Sequence, residues 1–125
     1  MSSDSPIEVV RRFCAEVSKL DLDAFGDFFA DDAVYHNIPV DPVTGIEAIK
    51  TTIQGFTTGV EKLELVVHNI AADGPVVLTE RTDIFVLPHV TIELPVMGTF
   101  EVHEGKITAW RDYFDLNQFM SKLSG

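Results

Sequence analysis

Apolar residues follow a helical spacing early in the chain and a strand spacing later. Ile7, Val10, Cys14, Val17 and Leu20 recur on one stripe, which predicts a helix with one buried face. Ser5-Pro6-Ile7-Glu8 marks its start: the serine can cap, the proline suits the first helical position, and the glutamate completes a capping box. Asp21 then caps a short second helix in which Leu22, Phe25, Phe28 and Phe29 supply aromatic bulk to the core. Residues 33–37 read as a short strand, ended by Pro39 and Pro42 in a loop. Thr44-Gly45-Ile46-Glu47 has the form of another capping box and predicts a helix carrying Ile46, Ile49, Ile53 and Phe56.

The second half changes character. Residues 63–72, 75–87, 91–103 and 106–114 are predicted as strands, joined at Asp73-Gly74, Pro88-His89 and Glu104-Gly105. Turn signals this short make antiparallel neighbours. Asp115 and Gln118 open a C-terminal helix bearing Leu116, Phe119, Met120 and Leu123. Helices first and a strand meander afterwards predict an α+β domain with helices packed on one face of a curved sheet. The expected form is a cone closed by helices and open at one end. Its concave face is then a pocket rather than a solid core.

Composition bounds what such a pocket can serve. The 125 residues suffice for one core and not two, so residues 1–125 are expected to form a single domain. Hydrophobic residues are 46% and charged residues 23% of the chain, which argues for a globular fold. Twenty acidic against nine basic side chains give a formal charge of −11. That balance repels nucleic acid and anionic membrane surfaces and is indifferent to a neutral substrate. Cys14 is the sole cysteine, so no internal disulfide forms. With no charged-then-apolar leader and no run of ~18 apolar residues, the expectation is a cytoplasmic protein.

Side chains two apart on a strand share a face. Val77, Thr79, Arg81, Asp83 and Phe85 therefore point one way, which puts two charges in apolar company. Thr108, Trp110, Asp112 and Phe114 share a face on the last strand, so Asp112 is again a carboxylate between aromatics. If the two faces meet inside the cone, Arg81 can donate to both Asp83 and Asp112 through its fork of N–H groups. Neighbouring carboxylates do not both ionise cheaply, and one protonated beside one ionised makes a general acid and a general base. Read alone, an Arg-x-Asp pair is more often a plain salt bridge, and Asp112 between Arg111 and Asp115 looks like part of a solvated charge cluster. Tyr35 and Asn37 are also two apart. Both can donate and accept, as fixing a water requires, although alone they read as a packing residue and the start of a turn.

Other chemistries lack their motifs. His103-Glu104 has no second histidine at zinc-helix spacing, and His36, His68 and His89 have no metal-ligand spacing with it. There is no Gly-x-Ser-x-Gly elbow, phosphate loop or dinucleotide fingerprint. Neither metal nor cofactor is therefore expected. Cys14 lies on the apolar stripe and reads as a core residue.

Three segments in order carry a family resemblance: Val34-Tyr35-His36-Asn37-Ile38-Pro39, Val77-Leu78-Thr79-Glu80-Arg81-Thr82-Asp83, and Gly105-Lys106-Ile107-Thr108-Ala109-Trp110-Arg111-Asp112-Tyr113-Phe114-Asp115. Together they resemble the limonene-1,2-epoxide hydrolase family, a branch of the NTF2-like (SnoaL-like) cone folds. The resemblance spans almost the whole chain and is most specific in the last segment. It implies a strongly curved mixed sheet with helices on its concave side.

By the same resemblance Asp112 is the general base, Asp83 the general acid and Arg81 the bridge between them. Tyr35 and Asn37, with Asp112, hold the attacking water. An apolar lining of Phe56, Val60, Phe85, Leu94, Val96, Trp110 and Phe114 faces a small apolar epoxide, which water opens to a vicinal diol in one step without a covalent intermediate. A homodimer built through the sheet is also implied. The chain starts near its first helix and is short after Phe114, so closure of the pocket mouth is expected to differ from longer relatives. Two other functions fit the same cone. One is a ketosteroid-isomerase-like proton shuttle, which an arginine between the carboxyls disfavours because it weakens the base. The other is a non-catalytic small-molecule-binding module, for which buried polar groups in an oily pocket serve no purpose.

Overall fold

Ser5 accepts the Glu8 amide at 3.2 Å and starts α1 (Pro6–Val17). Val9, Val10, Phe13, Cys14 and Val17 are its buried residues, with Ile7 and Leu20 half-buried at the ends of the stripe. Asp21 caps α2 (Leu22–Gly26) by accepting from the Asp23 and Ala24 amides. The helix stops there: Phe29, expected within it, opens strand β1 (Phe29–Asn37), which begins four residues before the predicted 33–37. The computed structural model describes residues 5–124.

A second difference lies at α3 (Ile46–Thr57). Its N-cap is Gly45 at φ 96° with no side-chain cap, not Thr44. Thr44 is committed elsewhere, in the short strand β2 (Val43–Thr44), where it pairs with Val34. Gly45 takes a backbone angle that disfavours side chains and donates its N–H to Ala33 O at 2.8 Å.

Strands β3 (Lys62–Asp73), β4 (Val76–Val86), β5 (Thr91–His103) and β6 (Lys106–Tyr113) form the antiparallel meander. Glu104 and Gly105, at φ 52° and 78°, make the two-residue turn between β5 and β6, with both residues in the left-handed region as a tight hairpin requires. The sheet order is β2-β1-β6-β5-β4-β3. β1 runs parallel to β6, so the sheet is mixed, and its two edges do not pair with each other.

Helix α1 lies against β3, β4 and β5, and α3 against β1 and β2. Phe13 of α1 meets Phe25, Phe28, Phe29, Phe100 and Trp110 edge-on, with ring centroids 5.0 to 6.3 Å apart. These contacts clamp helix to sheet. Helix α4 (Leu116–Ser124) starts at Asp115, which accepts the Gln118 amide, and turns Phe119 inward. No helix among the described residues is long and apolar enough to cross a membrane.

One irregularity governs the site. Val102 pairs with Ile107, but Glu101 pairs with Ala109, so Thr108 is an extra residue in β6. Such a bulge moves later side chains to the opposite face. Ile107 and Trp110, three apart, are thus both buried, and Thr108 does not share the inward face with Trp110 and Asp112 as alternation alone predicts.

Candidate active site

Two rows of side chains cross the inner face of the sheet. In the first, Tyr35, Trp110 and Phe100 are register partners on β1, β6 and β5. Their rings stack, Tyr35 on Trp110 at 4.2 Å and Trp110 on Phe100 at 5.5 Å. In the second, Asn37, Asp112, Gly98 and Thr79 are partners across β1, β6, β5 and β4. The aromatic row is a rigid floor, and the polar row stands beside it.

Arg81 enters from β4 and ties the polar groups together. Nε and Nη2 donate to the two oxygens of Asp83 at 3.0 and 2.9 Å. Nη2 and Nη1 donate to the two oxygens of Asp112 at 2.8 and 3.2 Å. A second Nη1 bond reaches Thr79 Oγ1 at 3.2 Å. A guanidinium has five N–H groups, and each has an acceptor here. Asp112 also accepts the Trp110 indole N–H at 2.7 Å. Arg81, Asp112 and Asp83 are 1%, 4% and 7% exposed, so this is an interior ionic cluster. No buried side-chain nitrogen or oxygen among the described residues lacks a partner.

Burial decides the proton inventory. It raises the Asp83 carboxyl above its usual range; Arg81 opposes the shift and the charge of Asp112 reinforces it. One cation between two carboxyls leaves net negative charge in a dry place if both ionise, whereas one retained proton makes the group neutral. Burial alone would lower the Arg81 guanidinium, but Asp112 and Asp83 outweigh it and hold the group charged. Tyr35 is raised by burial and then by Asp112, which keeps it a phenol. Its hydroxyl donates to Asn37 Oδ1 at 3.1 Å, which leaves the Asn37 amide N–H groups for another acceptor.

Tyr35, Asn37, Asp83 and Asp112 line a cavity of about 560 Å³, its open mouth included. Phe56, Phe85, Leu94, Val96, Trp110 and Phe114 line it too. Two candidates do not. Arg81 sits behind the carboxyls. Val60 packs against the core at the end of α3, where its amide bonds to Thr57 O in the turn. Sequence reasoning missed Val17, Phe25, Ile53, Thr57, Leu63, Leu65 and Phe119 of the wall. Phe119 closes one side by meeting Phe56 and Phe85 edge-on at 5.7 and 5.1 Å. Its place on the apolar stripe of α4 was visible, but its proximity to α3 and β4 was not. Thr79 and Gly98, which contact Arg81 and Asp112, were also missed as site residues; the face alternation alone puts Thr79 beside Arg81.

The fold class is that of the SnoaL-like, NTF2-type cones. A structure from Shewanella putrefaciens CN-32 described as a SnoaL-like polyketide cyclase superposes with TM-score 0.86 over 98% of each chain. At 12% identity that likeness concerns fold alone. Closer relatives define the family. The Limonene-1,2-epoxide hydrolase catalytic domain model matches residues 4–124. Epoxide hydrolase EphG of Mycobacterium tuberculosis is 36% identical over 117 residues, 93% of this chain and 78% of that protein. An LEH-like epoxide hydrolase structure from M. tuberculosis superposes with TM-score 0.82 at 36% identity, covering 96% of this chain and 90% of the other. The chain belongs to the limonene-1,2-epoxide hydrolase family.

Proposed function

We propose that the protein hydrolyses a small apolar epoxide to a vicinal diol in one acid–base step without a covalent intermediate. The observation that carries this reading is Arg81 holding Asp83 and Asp112 together at the wall of an oily cavity. The Asp112 side chain receives three N–H donors, two from Arg81 and one from Trp110. It takes a proton from a water held with the help of Asn37 and Tyr35. The water oxygen attacks one epoxide carbon, that carbon's own bond to the ring oxygen breaks, and the ring oxygen takes the proton of Asp83. Each proton-transfer role is worth ~100- to 10,000-fold in rate. The cycle closes when the proton on Asp112 returns to Asp83.

Both reacting carboxyls are held in the fork of one arginine, which supports a water nucleophile over attack by a side chain on carbon. Phe56, Phe85, Leu94, Val96 and Phe114 offer dispersion contacts and no hydrogen bonds, which suits a hydrocarbon body. The ketosteroid-isomerase-like and binding-module readings gain nothing from an arginine so placed. The charge of −11 favours a neutral ligand over nucleic acid. A second copy of the chain pairs through the outer face of the sheet, where Leu78, Met97 and Tyr113 are about half exposed at 47%, 51% and 47%.

The test is diol formation from a panel of cyclic terpene, cyclohexene, styrene and fatty-acid epoxides, with Asp83→Asn as control. The reading expects turnover of at least one epoxide by the wild type and none by the variant. No diol from any member, or equal rates in both proteins, overturns it.

A further inference from the structure

Arg81 is useful only if its plane is fixed, and two residues outside the cavity wall fix it. Arg81 lies on β4 and Asp112 on β6, so the guanidinium must cross the intervening strand β5. It crosses at Gly98, the register partner of both Asp112 and Thr79. A Cβ at Gly98 would fall on Arg81 Nη1 and Asp112 Oδ1. Thr79, 1% exposed, donates its hydroxyl to Gly98 O at 3.0 Å, which turns its lone pairs toward Nη1. The ring of Phe100 lies 6.0 Å from the guanidinium carbon and backs the same crossing.

We propose that Thr79 and Gly98 are positioning residues for epoxide opening: the bare Cα of Gly98 is the gap through which Arg81 reaches Asp112, and the committed hydroxyl of Thr79 locks the guanidinium plane by accepting its fifth N–H. This rests on the acid–base reading of the site. Four of the five N–H groups serve the carboxyls in pairs, so any rotation that improves one pair spoils the other. Thr79 is the contact that opposes rotation without belonging to either pair. It also gives the fifth Arg81 N–H an acceptor, and a buried N–H without one is costly in the interior.

The lock has a signature that packing alone lacks. Asp83 faces Arg81 from its own strand, Asp112 from β6, Tyr35 from β1 and Cys14 from α1. Tyr35 remains a phenol, and burial pushes the Cys14 thiol up to about 12, so Arg81 and Asp112 are the charges that Asp83 senses. A loosened Arg81 opposes the upward shift of Asp83 less. The alkaline limb of the rate profile then moves to higher pH.

The experiment uses the whole chain and an epoxide it accepts. Thr79→Val keeps the shape and removes the acceptor; kcat should fall about 10- to 100-fold, as expected for misplaced catalytic groups. KM should stay within about twofold, since Thr79 does not touch substrate. The alkaline limb should rise, Thr79→Ser should recover most of the rate, and Gly98→Ala should behave like Thr79→Val. Thermal melts report folding. Should Thr79→Val not fold, Thr79→Ala against Thr79→Ser makes the same comparison, because the two differ by one hydroxyl. Wild-type kcat and pH profile in folded Thr79→Val, with Asp83→Asn inactive, overturns the lock and leaves the acid–base reading standing. An active Asp83→Asn overturns both.

Discussion

Trp110 donates its indole N–H to Asp112 at 2.7 Å while its ring is stacked on Tyr35. The proposed base and one of the residues proposed to hold water are thus referenced to the same indole. Trp110→Phe retains an aromatic face and removes the N–H. A bond to a charged acceptor is lost, so kcat should fall by about tenfold or more, with a smaller change in KM. Steady-state kinetics on a folded variant checks this, and unchanged kcat would return Trp110 to a packing role.

Asp112→Asn and Asp83→Asn should each lower turnover at least ~100-fold, because both act in one transition state. The double variant should be scarcely worse than either single one. Because Asp83 is raised by burial against the pull of Arg81, it keeps its proton to higher pH folded than unfolded. The rate should therefore decline as pH rises through the raised value. The associated stability is present below the ordinary carboxyl range and lost over the same rise. Denaturant midpoints measured against pH follow the second effect, and a rate flat to strongly alkaline pH contradicts the first.

Single turnover in ¹⁸O-water with enzyme in excess should place label in the first diol formed. None should enter Asp83 or Asp112, since water and not a carboxylate attacks carbon. Mass spectrometry of product and protein reads both. Unlabelled diol, or an ester trapped on either residue, rejects the one-step path.

Phe56→Ala and Leu94→Ala enlarge the cavity without removing a hydrogen bond of the Arg81 cluster, although Leu94 is the cross-strand neighbour of Asp83. Substrate range or product stereochemistry should shift while the pH profile keeps its shape. Chiral chromatography of diols from several epoxides decides it, and unchanged selectivity in both variants removes these residues from the substrate's surroundings.

Face alternation on β4 made the inward set Val77, Thr79, Arg81, Asp83 and Phe85 legible, because a regular strand has one rule. The caps at Ser5, Asp21 and Asp115 were equally legible, since each bonds within three residues. Thr44 misled because its local sequence fits a cap while its backbone is spent pairing with Val34, ten residues back along the chain and outside any window of four residues. Val60 misled for the opposite reason, an apolar residue placed by a turn. The significance of Gly98 was out of reach: a glycine in a strand announces a close approach, but what approaches is settled by a register spanning three strands. The assignment of roles within the site came from family resemblance and not from spacing.

The extra residue at Thr108 divides β6 into two segments with opposite phase. Ile107 is keyed to the helix-packed core, whereas Trp110 and Asp112 are keyed to the cavity. Parity is therefore a property the strand has to conserve. Deleting Thr108 would leave regular alternation from Ile107 to Trp110 and Asp112, which would still face inward, whereas deleting Arg111 would make Trp110 and Asp112 neighbours that cannot share a face. Substitutions are the safe way to redesign this wall; changes of length between Trp110 and Asp112 are not.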